Sequence, residues 1–292
     1  MAGSGWITTS GLADSLDDVR SSARIVREQE GGIANLVEKI TLGEGVGLSW
    51  KELKYDKIIA QAITETTELD NPQSITDSLI TITPSVVGLE TFITDRVKAR
   101  ISKKGFAKIG QLGQNAIQRK KDEDGLIIAA SATGTADPGA GNTLASGYIA
   151  AASANITGNT TEPGHAPIRC VLHPFQIKDL YDELVAGVGT YVLTDGDTAR
   201  VFKTGFTLPI AGCEIYPNGN ITIDGSGDAK GMVFAQEGII IVQGRAPRIV
   251  EVRNEKRGGG GHHVYHYDEY AYGERLANWV YLMESDCTAP TS

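Results

Sequence analysis

The residues that could carry chemistry are concentrated in one short segment near the end of the chain. His262, His263, His266, Asp268 and Glu269 lie within eight positions, and imidazole and carboxylate groups can bind zinc or act as general bases. In a β-strand, alternation places His262, His266 and Asp268 on one face and His263 and Glu269 on the other. This spacing matches no zinc signature. We expect solvated or interfacial strand residues, with a metal-dependent or hydrolytic enzyme as the alternative.

Other reactive residues lack the neighbours that catalysis needs. Asp122, Glu123 and Asp124 directly follow three bases, which is typical of a charged helix surface rather than of catalytic carboxylates. The glycine-rich segments lack the Lys-Ser/Thr pair of a phosphate-binding loop. The three cysteines have no CxxC spacing, so free thiols in a reducing compartment are expected. The sequence predicts a protein that is not an enzyme and has no cofactor and no metal.

Composition limits the class of protein. A chain of 292 residues, 41% hydrophobic and 22% charged, is globular and long enough for two lobes. No apolar run approaches the roughly 18 residues of a membrane span. The net charge of −9 argues against a dedicated nucleic-acid reader, which normally has a basic excess.

Charge changes sign sharply along the chain. Residues 61–95 contain six acids and no lysine or arginine, whereas residues 96–121 contain nine lysines or arginines and no acid. Two solvated faces would account for this pattern, but so clean a switch favours two segments that meet partners of opposite charge.

The first half of the chain shows three elements. Asp14–Leu42 has the apolar stripe of a helix, interrupted by Gly31-Gly32. Lys57–Thr66 and Ser74–Val87 are rich in β-branched residues and predict a long hairpin around a polar tip. Lys103–Ala132 is the longest predicted helix, in which Lys120 and Asp124 can pair across one turn. Its glycines require close packing, because each costs of order 1 kcal/mol relative to alanine.

The second half alternates short helices and strands. Leu144–Ala154 predicts a helix, "IRCVLHP" a strand, and "FQIKDLYDELV" an amphipathic helix. Short strands are expected within Thr204–Ile223 and Lys230–Val242. Two long extended segments then surround Gly258–Gly261 and end near Met283. The pattern predicts an α+β fold in which the late strands return to an earlier layer.

This order of elements resembles the major capsid proteins of tailed phages, with the Hong Kong ninety-seven-type shell fold that is also seen in encapsulin compartments. "AIQRKKDEDGLIIAASATG" resembles the end of that family's spine helix, and "IRCVLHPFQIKDL" the start of its axial domain. "LPIAGCEIYPNGNI" and "GMVFAQEGIIIV" resemble the later strands of that domain. "PRIVEVRNEKRGGGGHHVYHYDEYAYGERLANWVYL" resembles the long strands that return to its peripheral domain.

The resemblance implies a division of the chain into five ranges. These are an N-terminal arm (1–50), an extended hairpin loop (51–94), a peripheral domain with the spine helix (95–134), an axial domain (135–246), and the return strands of the peripheral domain with the C-terminus (247–292).

The resemblance also implies a function and partners. The expected protein is a structural virion protein that self-assembles, as hexamers and pentamers, into an icosahedral shell around double-stranded DNA without sequence-specific binding. A portal protein and separate scaffolding or decoration proteins are further expected partners, with assembly in the host cytoplasm and no membrane. The alternatives are an encapsulin-type cargo compartment and a phage tail or adhesion protein.

In this family the hairpin reaches across an adjacent subunit, so the charge switch predicts a contact between subunits. The acidic side of this expected contact consists of Glu65, Glu68, Asp70 and Asp77. The basic side consists of Arg96, Lys98, Arg100, Lys103, Lys104 and Lys108.

Overall fold

The long strands at the end of the chain organise the first of two main sheets. The computed structural model describes residues 6–7, 32–45, 47–66, 72–100, 103–185, 209–256 and 259–290. In sheet order, the described strands of the first sheet are β1 (Trp6–Ile7), β5 (Ser85–Thr94), β11 (Gly261–Glu274), β10 (Ile239–Asn254) and β2 (Glu38–Thr41).

A second sheet is built mainly from the middle of the chain. Its described strands, in sheet order, are β6 (Gly134–Thr135), β12 (Val280–Asp286), β9 (Asp228–Ala235), β7 (Ile168–Leu172) and β8 (Cys213–Pro217). A separate two-stranded ladder joins β3 (Trp50–Tyr55) to β4 (Asp77–Ile82).

The helices pack against these sheets or connect them. The described helices are α1 (Ile33–Leu36), α2 (Asp95–Arg100), α3 (Lys103–Ser131), α4 (Ser146–Thr157) and α5 (Pro174–Val185). Short 3₁₀ turns cover Gln236–Gly238 and Ala277–Trp279. The predicted mixed α+β class and the predicted long helix are confirmed.

Helix α3 lies across the first sheet, and glycines allow the close approach. A Cβ on Gly113 would lie 2.5 Å from the His266 ring of β11, and one on Gly125 would lie 2.6 Å from Ile33 of α1. The expectation that glycines of this helix need close packing is confirmed at these two positions. It is wrong at Gly110, where a Cβ would meet open space.

One apolar core joins the two sheets. Leu126 and Ile128 of α3 pack in the same cluster as Ile241 of β10 and Phe234 and Val280 of the second sheet. A second cluster lies between the second sheet and helices α4 and α5. Leu126, Ile128 and Ala129 of the apolar run LIIAA are buried in this shared core, whereas Ile127 is 62% exposed.

The prediction of a helix through Leu42 is wrong at its end. Among the described residues 32–42, Ile33–Leu36 is helical and Glu38–Thr41 is a strand parallel to β10. Ile40 and Leu42 alternate toward a small core with Ile240, and this burial selects the strand. Residues 14–31, the rest of the predicted helix, lie outside the described residues.

The hairpin is paired at its base and not along the arms that the sequence favours. Trp50–Tyr55 pairs with Asp77–Ile82, whereas residues 57–66 belong to no strand. Trp50 and Ile82 pack on the core beside Ile240, so the base has a buried face. The arms have none, and a two-stranded ladder without a buried face is marginal in water.

The last two strands of the chain do not join the same sheet. Gly261–Glu274 pairs with β5 in the first sheet, as expected for returning strands, but Val280–Asp286 pairs with β9 in the second sheet. The turn at Ala277–Trp279 makes the crossing, and Trp279 is buried there. The strands within the predicted range 247–292 therefore belong to two different sheets. The five ranges remain a prediction of the domain boundaries.

Two glycines of α3 give opposite predictions for the same substitution. Gly113→Ala should lower the free energy of unfolding by about 1–3 kcal/mol, because the new methyl group overlaps the buried His266 ring. Gly110→Ala should raise it by up to about 1 kcal/mol, because alanine favours the helix and meets nothing. Urea unfolding of dispersed subunits measures both changes, and equal shifts would contradict the described packing.

Candidate assembly interface

The hairpin and its arms expose an unusual amount of apolar surface. In the described part of the hairpin, seven large apolar side chains are more than half exposed: Leu53, Tyr55, Ile58, Ile59, Ile63, Ile75 and Leu79. Large exposed apolar side chains concentrated in one part of a chain are typical of association sites. The hairpin is therefore the first candidate for a surface that a partner covers.

Polar contacts fix the base of the hairpin to the rest of the chain. The Lys54 ammonium lies 2.5 Å from the Glu162 carboxylate, and the Lys57 ammonium donates to the Thr160 carbonyl at 2.8 Å. The Trp279 indole N–H donates to the Glu162 carbonyl at 2.9 Å, so the receiving loop is itself anchored. These contacts hold the base in place, while the arms beyond it stay exposed.

Arg275 connects the hairpin to the first sheet. Its guanidinium donates to Glu52 of β3 at 2.9 Å and to Glu38 of β2 at 2.7 Å. It also donates to the Glu237 carbonyl at 3.1 Å. One partly buried arginine therefore sets the position of two strands that are not paired to each other.

The predicted acidic residues are exposed wherever their side chains are described. Glu65 and Asp77 are exposed on the hairpin. Glu68 and Asp70 lie outside the described residues.

The predicted basic residues begin on α2. Arg96, Lys98 and Arg100 are exposed there, and Lys108 is half-buried on α3. The Lys98 ammonium lies 3.4 Å from the Glu251 carboxylate of its own chain. The side chains of Lys103 and Lys104 lie outside what the structure describes, and the proposed contact with the acidic set stays a prediction.

The histidine strand is more buried than expected. Alternation places its side chains as predicted, with His266 and Asp268 facing α3 and His263 stacked beside Tyr265 on the other face. The expectation of solvated side chains is wrong for His263, His266 and Asp268, which are all buried. The reason is that α3 covers one face of β11, and Phe92 and Glu90 of β5 flank His263 on the other.

His262, His263 and Asp268 have polar partners, whereas both ring nitrogens of the buried His266 have no hydrogen-bond partner among the described residues. Asp268 pairs with Lys121 of α3 at 3.0 Å and accepts from Gln243. His262 contacts the carboxylates of Glu251 at 2.6 Å and Asp95 at 3.5 Å. Within the described ranges, no group of three His, Cys, Asp or Glu residues is arranged to hold a metal ion.

Asp122 is buried and joins three parts of the chain, so the prediction that it lies on a charged helix surface is wrong. Its side chain is 3% exposed. One carboxylate oxygen accepts from the Ile33 backbone N–H at 3.0 Å, and the other accepts from the side-chain amides of Asn218 at 2.7 Å and Asn220 at 3.0 Å. The surface assignment holds for its neighbour Glu123, which faces Arg119 at the surface.

A buried cysteine–histidine pair is a feature that the sequence does not reveal. Cys287 Sγ lies 3.0 Å from His173 Nδ1, although the two residues are far apart in the chain. Burial raises the pKa of the Cys287 thiol to about 11 and lowers the pKa of His173. Both groups are therefore neutral near pH 7, unlike the thiolate–imidazolium pair of a nucleophilic cysteine.

Solved structures of phage capsids have a similar fold over nearly the whole chain. The fold is similar to the capsid structure of cyanophage P-SCSP1u, with a TM-score of 0.69 and 12% identity over 95% of each chain. It is similar to the capsid of Ralstonia phage GP4, with a TM-score of 0.68 and 13% identity over 94% of this chain and 97% of that chain. The chain has the phage capsid fold. This confirms the predicted shell fold.

A third solved capsid structure also has this fold. The capsid of the native GTA particle matches with a TM-score of 0.64 and 12% identity over 92% of this chain and 95% of that chain. No protein-family model and no curated protein matches the chain by sequence. In the part of the chain that the structure describes, no helix is long and apolar enough to cross a membrane.

Removing the Asp122 carboxylate should loosen this capsid fold at its centre. Asp122→Ala should lower the free energy of unfolding by about 3 kcal/mol, because three buried donors lose their acceptor. This loss exceeds the gain from no longer burying a carboxylate. Glu123→Ala is the control, with an expected change of no more than about 1 kcal/mol. Chemical unfolding measures both, and an Asp122→Ala loss as small as the control's would refute the junction.

Proposed function

We propose that this protein is a major capsid protein that self-assembles into an icosahedral shell enclosing double-stranded DNA. The observation that carries the proposal is the capsid fold over about the whole chain, combined with a hairpin whose apolar side chains are exposed on the subunit itself. A structural protein of this kind has no catalytic turnover. Its mechanism is association, in which each copy covers surface that its neighbour leaves open.

The proposal includes the place and the partners of the shell. Copies assemble into hexamers and pentamers in the host cytoplasm and form the capsid of the virion. A portal protein supplies the DNA entry, and separate scaffolding or decoration proteins complete assembly. The net charge of −9 suits a container that encloses DNA without gripping it, because tight binding to phosphates would require a basic excess.

Sedimentation of the purified chain tests the proposal. We expect particles or ring-shaped oligomers in place of a stable monomer, because the exposed apolar hairpin needs a covering surface. Sedimentation velocity over a range of concentrations, with micrographs of the fast fractions, gives the answer. A single monomer boundary at every concentration, with or without phage partners, would contradict it. The nucleic acid or protein content of the particles distinguishes a capsid from a cargo compartment.

We also propose that the acidic hairpin lies over the basic segment of a neighbour. The support is that Glu65 and Asp77 are exposed on the hairpin and that Arg96 and Arg100 are exposed on α2. Each exposed pair contributes only about 0.2–1 kcal/mol. The contact repeats at every subunit, so the sum can set the register and rate of assembly.

Charge reversal tests this contact. Replacing Glu65, Glu68 and Asp70 by lysine should impair assembly, and adding Lys103→Glu, Lys104→Glu and Lys108→Glu in the same chain should partly restore it. Assembly should also slow as salt rises, because the Debye length is about 10 Å at 0.1 M salt. Light scattering follows the rate. A combined variant that assembles no better than either single set would show that the two segments do not face each other.

A further inference from the structure

One buried histidine of β11 has no polar partner. His266 is 3% exposed, and neither of its ring nitrogens has a hydrogen-bond partner among the described residues. A neutral imidazole carries one N–H donor and one acceptor nitrogen, and leaving such groups unpaired in the interior costs free energy. The two other histidines of the strand have carboxylate partners, because His262 lies 2.6 Å from Glu251 and His263 contacts Glu90.

The ring of His266 lies against the backbone of the long helix. A Cβ placed on Gly113 of α3 would lie 2.5 Å from Cε1 of the ring and 2.8 Å from each of its two nitrogens. The polar edge of the ring therefore faces the helix and not water. Because the ring is buried at this contact, it reaches water only if the helix moves away from the sheet.

The charged groups of β11 and α3 offer the ring no free acceptor. On the same face of β11, Asp268 already pairs with Lys121 at 3.0 Å and accepts from Gln243 at 2.6 Å. Between positions 108 and 121 of α3, the charged side chains that are not fully exposed are Lys108 and Lys121. Both are cationic, so the helix adds positive charge and no acceptor.

The neighbouring strands offer no free acceptor either. On β10, the carboxylate on the same face of the sheet is Glu251, which His262 contacts at 2.6 Å and Lys98 at 3.4 Å. On β5, Leu89 lies opposite His266, and the residues at alternate positions on that face carry apolar or hydroxyl side chains. Within the described residues, a proton on this ring would therefore be a buried charge without a counter-charge.

Such a charge makes the contact between helix and sheet sensitive to acid. Burying an unpaired charge costs far more than burying a neutral polar group. An exposed histidine takes up a proton with a pKa of about 6.5. Below that pH, a chain whose histidine reaches water binds a proton that the packed chain excludes. The packed state therefore loses stability as the pH falls.

The two ends of α3 are held to the body by contacts of different extent. Toward its C-terminal end, the hydrogen bonds of Asp122 and the burial of Leu126 and Ile128 in the shared core fix the helix. On the other side of the histidine contact, Ile109 packs in a small cluster with Ile93. The part of the helix that covers the histidine is therefore the part that separates from the sheet more easily.

We propose that His266 is a proton-operated release for the long helix. While the ring is neutral, α3 lies on β11. A proton on the ring forces residues 108–117 away from the sheet, because only water can then solvate the charge. The subunit thus carries an acid-sensitive contact between its long helix and its first sheet. Every group involved belongs to one subunit, so this inference does not rest on the proposed shell function.

Urea unfolding of dispersed subunits at about pH 7.5 and about pH 5 tests the release. Between these pH values, the equilibrium constant for unfolding should rise at least about ten-fold more for the unmodified chain than for His266→Gln or His266→Phe. One histidine that stays neutral when packed contributes at most about 30-fold over this range. Burial also lowers the pKa of His173, but that group is present in all the chains and cancels in the comparison.

The variants have a matched control and a clear contrary result. His266→Phe keeps an aromatic ring at the contact and removes two nitrogens that have no partner, so it should fold at about pH 7.5. His165 is exposed, and His165→Gln should keep the pH dependence of the unmodified chain. If both His266 variants lose stability in acid as steeply as the unmodified chain, the proposal is overturned.

Hydrogen exchange of the unmodified chain tests the proposal without any variant. Exchange rates are corrected for the effect of pH on the chemical step. Protection of the amides of residues 108–117 should fall at least about ten-fold between about pH 7.5 and about pH 5, while that of residues 122–131 should fall less than about two-fold. Unchanged protection of residues 108–117, or an equal loss along the whole helix, would overturn the proposal.

Discussion

The structure depends on one buried carboxylate that three parts of the chain share. Asp122, on the long helix, accepts hydrogen bonds from the arm at Ile33 and from the loop after β8 at Asn218 and Asn220. No described cation pairs with it, so these three donors balance its desolvation. The helix, the arm and the second sheet must therefore keep fixed relative positions, and the shared core around Leu126 and Ile128 forms where they meet.

The hairpin is attached to this body at its base, and its arms do not bury their apolar side chains. The first sheet is covered on one face by α3, and the base of the hairpin is fixed by Lys54 and Arg275. Beyond Lys57 the arms expose their isoleucines, and within the described residues no backbone–backbone hydrogen bond joins residues 58–63 to the body. These side chains stay in water in the single chain, so burying them against another copy favours association. The same subunit is thus rigid at its centre and incomplete at its edge.

The sequence predicts elements better than contacts. The long helix, the strand–helix step at Ile168–Val185 and the faces of β11 follow from local periodicity, and the structure confirms them. The burial of Asp122 does not follow, because its partners Asn218 and Asn220 are almost a hundred residues away. The strand at Glu38–Thr41 and the base pairing of the hairpin also depend on a distant core around Ile240. Sequence identity of 12% with the cyanophage capsid shows how few residues this fold fixes.

Hydrogen exchange on dispersed and assembled protein tests most directly the claim that a second copy completes the hairpin. The account predicts that the backbone amides of residues 57–63 exchange at least about ten-fold more slowly in the particle, because this segment gains a partner there. The amides of β9, already paired on both sides, serve as the internal reference and should not change. Equal exchange of residues 57–63 in the two states would contradict the claim.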